Sequence, residues 1–221
     1  DLAPGQPDPL RARAAYFHKH KDARAYADAR AVSDLDPADP KARRTAMNHA
    51  FSYGRFAAAE ELARAGLRDA PSDPHLRTIL AEARRAQGDL RAAAAIYDEL
   101  IREAPRQTGP LLARAGLYEL AGEPGKAVPL LRTVFENDPQ QRRAAGYHLA
   151  VALDQLGEGA EARKVRAEVS RLQDVEVAAE AAKTQPRNHA LHVRLAAQLL
   201  AAGHAADGVR VLTRVLAEDP G

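Results

Sequence analysis

The stretch YGRFAAAEELARAGLRDAP, residues 53–71, recurs in altered form as QGDLRAAAAIYDELIREAP, residues 87–105. Both stretches have a glycine near the start, a large apolar residue two places later, an alanine three places beyond that, and an Ala-Pro pair at the end. Self-similarity at a fixed period indicates a chain built from stacked copies of one small unit. Further copies of the unit are therefore expected along the chain.

The same landmarks return along most of the chain at a period of 34 residues. The residues that keep this period are the prolines Pro37, Pro71, Pro105 and Pro139, the glycines Gly54, Gly88 and Gly122, and the alanines Ala25, Ala59, Ala93 and Ala127. A shifted last copy contains Ala196, Gly203, Gly208 and Pro220. The chain is therefore predicted to consist of repeated units over most of its length.

Each unit is predicted to form two helices. After Gly88, apolar residues return at the i, i+3, i+4, i+7 spacing of one helical face. Glycine favours the left-handed conformation that ends the first helix, and the Asp-Pro or Ala-Pro pair ends the second because proline cannot continue the hydrogen-bond ladder. Alanines such as Ala59 and Ala93 leave room for two helices to cross closely. Neither helix buries its apolar face alone, so stacked neighbours must cover it.

The pattern resembles the tetratricopeptide repeat family. The matching residues are Gly54, Phe56, Ala59 and Pro71, then Gly88, Leu90, Ala93 and Pro105, then Gly122, Ala127 and Pro139. The resemblance implies an all-α fold, a right-handed superhelix (α-solenoid) of about six helix-turn-helix repeats, in which the first helices line a concave, partner-binding face. Two departures are His20, where other units have glycine, and the lack of any tryptophan.

The chain is expected to form a single domain over residues 1–221. Its predicted repeats are about 6–39, 40–73, 74–107, 108–141, 143–186 and 189–221. The fifth repeat has an extended second helix, because no proline follows on schedule and the sequence runs on to Pro186. One elongated helix near 160–184 is predicted, with a break near Asp174 as the alternative. Its apolar stripe from Val165 to Ala182 either contacts a partner or packs against the last helix pair.

Composition excludes several classes of function. The chain has 221 residues with no cysteine, 32 Lys+Arg against 30 Asp+Glu, and a net charge of only +2. Nucleic-acid binding requires clustered basic residues and is not expected. No stretch approaches the roughly 20 apolar residues of a membrane span.

The residues that follow Asp1 do not have the pattern of a signal peptide. The sequence stops where the repeat pattern would begin again, which favours an excised segment of a longer protein. The composition looks bacterial, and the compartment is left open.

No residue constellation for catalysis is present in the sequence. There is no phosphate-binding glycine loop and no nucleophile elbow. The pairs His18 with His20 and His189 with His192 lack an acidic ligand at metal-site spacing, and carboxylates such as Glu60 are expected on solvated helix faces. The chain is therefore predicted not to be an enzyme and to need no cofactor and no metal.

A binding surface is instead predicted on the inner faces of the first helices. The side chains expected there are Arg11, Phe17, Lys41, Arg44, Asn48, Phe51, His75, Ile79, Glu82, Arg85, Tyr147 and His148. Lys41, Arg44 and Asn48 fall three or four residues apart on one helix face, where arginine can grip a carboxylate. This trio partly resembles the carboxylate clamp of some tetratricopeptide repeat domains, although Ile79 stands where the next repeat would offer a polar group. The alternative is an ordinary solvated face, with Phe17 and Phe51 packed between helices.

The predicted function is that of a scaffold or adaptor that binds a peptide or protein segment in the concave groove. The alternative is a structural superhelical spacer within a larger bacterial envelope or secretion protein. Expected partners are proteins or peptides, with end-to-end self-association also possible through an uncapped last repeat.

Overall fold

The computed structural model describes residues 7–218, and all regular structure over that range is helical. The helices are α1 Pro7–Lys19, α2 Arg24–Leu35, α3 Pro40–Ser52, α4 Phe56–Asp69, α5 Pro74–Ala86, α6 Leu90–Glu103, α7 Thr108–Leu120, α8 Pro124–Asn137, α9 Arg142–Gln155, α10 Gly159–Thr184, α11 His189–Ala201 and α12 Ala205–Glu218. The prediction of an all-α fold made of helix-turn-helix units is confirmed.

The chain divides into two compact units. Unit 1 comprises Asp1–Pro105 and holds α1 to α6, and unit 2 comprises Arg106–Gly221 and holds α7 to α12. Within each unit every helix packs against the next one in the chain. The single domain and its six repeat boundaries stay predictions, and the start of the first repeat near residue 6 and the stop at Pro220 lie outside the described residues.

Helix ends follow the prolines and aspartates of the repeat. α2, α4, α6 and α8 each end two residues before one of the period-keeping prolines, as predicted. Aspartates then start the next first helices: the Asp39 carboxylate accepts the Lys41 backbone N–H, and the Asp73 carboxylate accepts that of His75. A proline follows each of these aspartates at the first helical position, where its missing N–H has no intrahelical partner to lose.

The turns inside the helix pairs contain a left-handed residue. Gly88, at φ 88°, occupies this position in the third pair, as the capping role predicted. In the first pair the residue with positive φ is Lys21, at 55°, one place beyond His20. The first turn is therefore shifted by one residue relative to the others, which explains why the 34-residue alignment places a histidine opposite the glycines.

The alanines of the repeat lie where helices cross. Ala59, Ala93 and Ala127 are each 0% exposed, as is Tyr97, the largest fully buried side chain. The Tyr97 hydroxyl donates a 2.6 Å hydrogen bond to the Glu82 carboxylate, and burial, followed by this bond, raises the pKa of Tyr97. Small residues thus set the helix separation, and larger ones fill the space beside the crossings.

The elongated helix of the fifth repeat is continuous. α10 runs for 26 residues without the break near Asp174. Its first half buries Val165 and places Val169 against Gly146 of α9, and its second half buries Ala178 and Ala182 where α10 packs against α11. α10 therefore joins two neighbouring helix pairs through one apolar stripe, which favours the packing role over a free projecting helix.

The expectation that Glu60 faces solvent is wrong. Glu60 is 7% exposed, and its carboxylate contacts Arg64 at 2.6 Å, Arg84 at 2.7 Å and the Gln87 amide at 2.6 Å. Buried carboxylates are tolerated when paired and hydrogen-bonded. Glu60 lies on the side of α4 that meets α5. The spacing of apolar residues alone did not predict that this side of the helix is buried.

Candidate binding site

A cavity of about 580 Å³ lies in unit 1 among α1, α2 and α3. Its apolar lining is built from small side chains, namely Ala14, Ala15, Ala29, Val32 and Ala42. Its polar lining comprises Arg11, His18, Lys19, Asp39, Lys41, Thr45 and His49. The cavity has the size and mixed lining of ligand pockets in general, where a few polar groups orient a mostly apolar contact.

The charge at this cavity is positive. Asp39, its one carboxylate, lies 2.8 Å from the Arg11 guanidinium and accepts the Lys41 backbone N–H at 2.8 Å. That backbone bond, with a second from Ala42, lowers the pKa of Asp39. The ammonium groups of Lys19 and Lys41 have no hydrogen bond or ion pair to any part of the chain that the structure describes. An entering anion therefore meets two ammonium groups that make no ion pair with the described residues.

Two histidines stack face to face at the cavity. The His18 and His49 rings have centroids 4.4 Å apart and planes within 9° of parallel. His49 is buried at 7% exposure, and its Nδ1 lies 3.1 Å from the Ala25 carbonyl oxygen. Because that oxygen only accepts, the Nδ1 carries the proton. The Tyr53 ring meets both imidazoles edge-on, at 6.3 and 6.4 Å.

Two of the predicted site residues, Arg11 and Lys41, line this cavity. Arg44 and Asn48 lie on the exposed side of α3 and do not line it. The cavity residues of α3 are instead Lys41, Thr45 and His49, spaced by four. The cavity therefore includes Lys41 of the trio that resembles a carboxylate clamp, and the binding roles predicted for Arg44 and Asn48 stay predictions.

The predicted aromatic residues are half-buried in packing contacts. The Arg24 guanidinium lies 4.2 Å from the centre of the Phe17 ring and covers it. Phe51 meets the Phe56 ring edge-on at 5.2 Å and packs against the buried cluster of Ala50, Ala59 and Ala83.

The predicted site residues of α5 differ in their contacts. Ile79 packs against the core of unit 1, and His75 is exposed at the start of the helix. The Glu82 carboxylate receives hydrogen bonds from the Tyr97 hydroxyl and the Arg85 guanidinium, each at 2.6 Å. Glu82 and Arg85 therefore stabilise one another rather than presenting free charges.

The last two predicted residues belong to unit 2. Tyr147 is 66% exposed, and the His148 Nδ1 lies 3.1 Å from the Glu119 carboxylate. Val151, one turn after Tyr147, is also exposed. This part of α9 presents an apolar surface, unlike the charged cavity of unit 1.

Lys19, Asp39 and His49 are cavity residues that sequence reasoning missed, and His49 is the one that the repeat itself could have revealed. One repeat later the equivalent position is Ala83, which is fully buried. A titratable side chain at a position that the repeat reserves for a small apolar residue is the signal that would have identified it. Among residues 7–218, no group of three or more histidine or acidic side chains could hold a metal ion. No helix in the same range is long and apolar enough to cross a bilayer.

The fold defines a helical-repeat protein, and comparisons with known proteins agree. A family model described as tetratricopeptide repeat matches residues 84–146. The 34-residue period and the paired helices extend this similarity to tetratricopeptide repeat proteins beyond the matched residues. No curated protein sequence matches the chain.

Several solved structures share the fold at low sequence identity. MamA protein is 15% identical, with 77% of this chain and 93% of that one covered at a TM-score of 0.63. A tetratricopeptide repeat protein from Parabacteroides merdae is 17% identical, with coverages of 96% and 79% and a TM-score of 0.60. Tetratricopeptide-like repeats of a putative kinesin light chain from Podosopora anserina are 20% identical, with coverages of 83% and 98% and a TM-score of 0.61. At these identities the likeness concerns the fold alone.

Proposed function

We propose that this protein is an adaptor that binds a segment of a partner protein at the cavity among α1, α2 and α3. Tetratricopeptide repeat proteins generally mediate interactions between proteins and are generally not enzymes. The observation that carries the proposal is the combination of a small-residue apolar lining with Lys19 and Lys41, whose ammonium groups make no ion pair with the described residues. A segment that supplies both a carboxylate and a small apolar side chain matches both features.

The apolar lining limits the side chain that fits. Ala14, Ala29, Val32 and Ala42 are all buried, so a guest methyl or isopropyl group would be removed from water on entry. A carboxylate beside that group would reach the polar lining, where charge-assisted hydrogen bonds from lysine are stronger than neutral ones. The free carboxylate of a chain terminus with a small apolar last residue supplies both groups.

The test is the affinity of the whole chain for a fluorescent glutamate-rich peptide that ends in valine with a free carboxylate. Fluorescence anisotropy at neutral pH and moderate salt should show saturable binding, and the same peptide with an amidated end should bind on the order of tenfold more weakly. Lys41→Gln should weaken binding by a similar factor.

Arg44→Gln is the matched control, because Arg44 lies on the same helix and is exposed but does not line the cavity. It should retain most of the affinity. Absence of saturable binding, or equal losses in the Lys41 and Arg44 variants, would contradict binding at this cavity.

A further inference from the structure

The stacked imidazoles of His18 and His49 add a group whose charge can change at the cavity. Imidazole is the side chain that gains and loses its charge between about pH 5 and 8. Both rings line the cavity, one exposed and one buried, and they are held parallel with centroids 4.4 Å apart. A proton taken up by either ring therefore places a positive charge at the candidate site.

The surroundings of the pair contain few negative charges. α1 contributes Arg11 and Lys19 to the cavity and α3 contributes Lys41, while the Tyr53 ring, just after α3, meets both imidazoles edge-on. α2 contributes Ala29 and Val32 to the lining and the Ala25 carbonyl that holds His49.

The carboxylates of this region are paired. Asp39 contacts Arg11 at 2.8 Å, and Asp8 lies 3.5 Å from the same guanidinium. Asp28, the buried carboxylate of α2, accepts two hydrogen bonds from the Arg13 guanidinium, at 2.6 and 2.7 Å.

The ammonium groups of Lys19 and Lys41 are the charges at the cavity that make no ion pair with the described residues. A carboxylate bound at the cavity would add a negative charge beside the imidazoles.

We infer that the pair makes binding of the carboxylate-bearing segment proton-dependent, with affinity increasing as the pH falls from 7.5 to 5.5. This inference rests on the proposed function. The direction follows from linkage: if the complex holds a proton more readily than the free protein, binding takes up protons and acid favours the complex.

The experiment measures binding of the valine-terminated glutamate-rich peptide by isothermal titration calorimetry at pH 7.5 and 5.5. Two buffers of different ionisation enthalpy at each pH report the protons taken up. Wild-type protein should bind about fivefold more tightly at pH 5.5, with net proton uptake. His18→Gln should lose most of this difference in affinity between the two pH values, because His18 is the exposed ring of the pair and the remaining His49 ring is buried.

His20→Gln is the control, since the His20 ring lies against Tyr16 at a tilt of 46° and does not line the cavity. This variant should keep the wild-type ratio of the affinities at pH 5.5 and pH 7.5. The peptide's own carboxylates titrate equally with all three proteins, so the comparison of ratios cancels their effect. Circular dichroism checks that each variant is folded at both pH values.

The outcomes separate the two proposals. Binding at both pH values with the same ratio in wild type and His18→Gln would overturn the proton-dependent role and leave the adaptor function standing. Absence of binding at both pH values would overturn the adaptor function and this inference with it. Loss of the ratio in His18→Gln but not in His20→Gln supports the inference.

Discussion

At the scale of single residues, the smallest side chains determine how closely helices approach. Gly146 of α9 faces Val169 of α10 and the Phe135 ring of α8, and a Cβ added at Gly146 would lie 2.5 Å from a Val169 methyl group and 2.7 Å from the ring. A Cβ added at Gly116 of α7 would meet no neighbouring atom within 4 Å. Two helical glycines in one unit therefore differ in what surrounds them.

The two glycines predict opposite effects of alanine on stability. Gly146→Ala should lower the free energy of unfolding by about 1–3 kcal/mol, because Val169 and Phe135 must move to admit the methyl group. Gly116→Ala should raise it by about 0.5–1 kcal/mol, since alanine favours a helix over glycine and meets no neighbour. Urea unfolding of both variants measures the two values, and equal signs would contradict the packing of α9 against α10.

The repeat pattern correctly predicted burial at positions where only a small side chain fits. The alanines of the crossings are buried as expected, because a crossing admits no other side chain. The cavity residues of α3 were harder to predict. Spacings of three and of four both keep side chains on one helix face, and the sequence does not say that Thr45 and His49, rather than Arg44 and Asn48, lie beside Lys41. That choice depends on how α1 and α2 pack against α3.

At the scale of helices, the period predicted where α2, α4, α6 and α8 end. Prolines and aspartates act locally through the backbone, so their effects can be read without knowing the neighbours. α10 was also predictable, since its sequence contains no proline before residue 186 and its stripe keeps a helical spacing. The burial of Glu60 was not predictable, because its partners Arg84 and Gln87 come from the following repeat.

The crossing of α5 and α6 gives a direct test of the helix alignment. Ala93→Leu should destabilise the protein by about 1–3 kcal/mol, because the 0% exposed Ala93 has no space for a longer side chain. Ala95→Leu on the same helix is the control and should change stability by less than about 0.5 kcal/mol, because Ala95 is exposed. Thermal melts of both variants are compared, and an unchanged curve for Ala93→Leu would show that the alignment is wrong at this repeat.

At the scale of the whole molecule, carboxylates with a lowered pKa link stability to pH. The Asp89 carboxylate accepts the Ala92 backbone N–H and then pairs with Arg84, and both contacts lower the pKa of Asp89. The Thr108 hydroxyl, followed by backbone N–H groups, lowers the pKa of Asp138. A carboxylate whose pKa is lower in the folded than in the unfolded state stabilises the fold at neutral pH, and this contribution is lost as the pH falls through the folded-state value.

The melting temperature should therefore fall as the pH is lowered below about 4. Asp138→Asn should show a smaller fall than the wild type, because asparagine can still accept the Thr108 hydrogen bond but does not titrate. Asp8→Asn is the control and should behave as the wild type, since the Asp8 side chain is 90% exposed. Melting curves by circular dichroism between pH 7 and pH 2 provide the comparison, and identical acid slopes for the Asp138 and Asp8 variants would argue against this assignment.

The central claim, that a partner segment binds among α1, α2 and α3, is tested most directly by backbone amide chemical shifts. Two-dimensional NMR spectra of the ¹⁵N-labelled full chain are recorded during titration with the valine-terminated glutamate-rich peptide. The largest shift changes are expected in residues 11–19 and 39–49. Unchanged spectra at saturating peptide, or changes confined to unit 2, would contradict it.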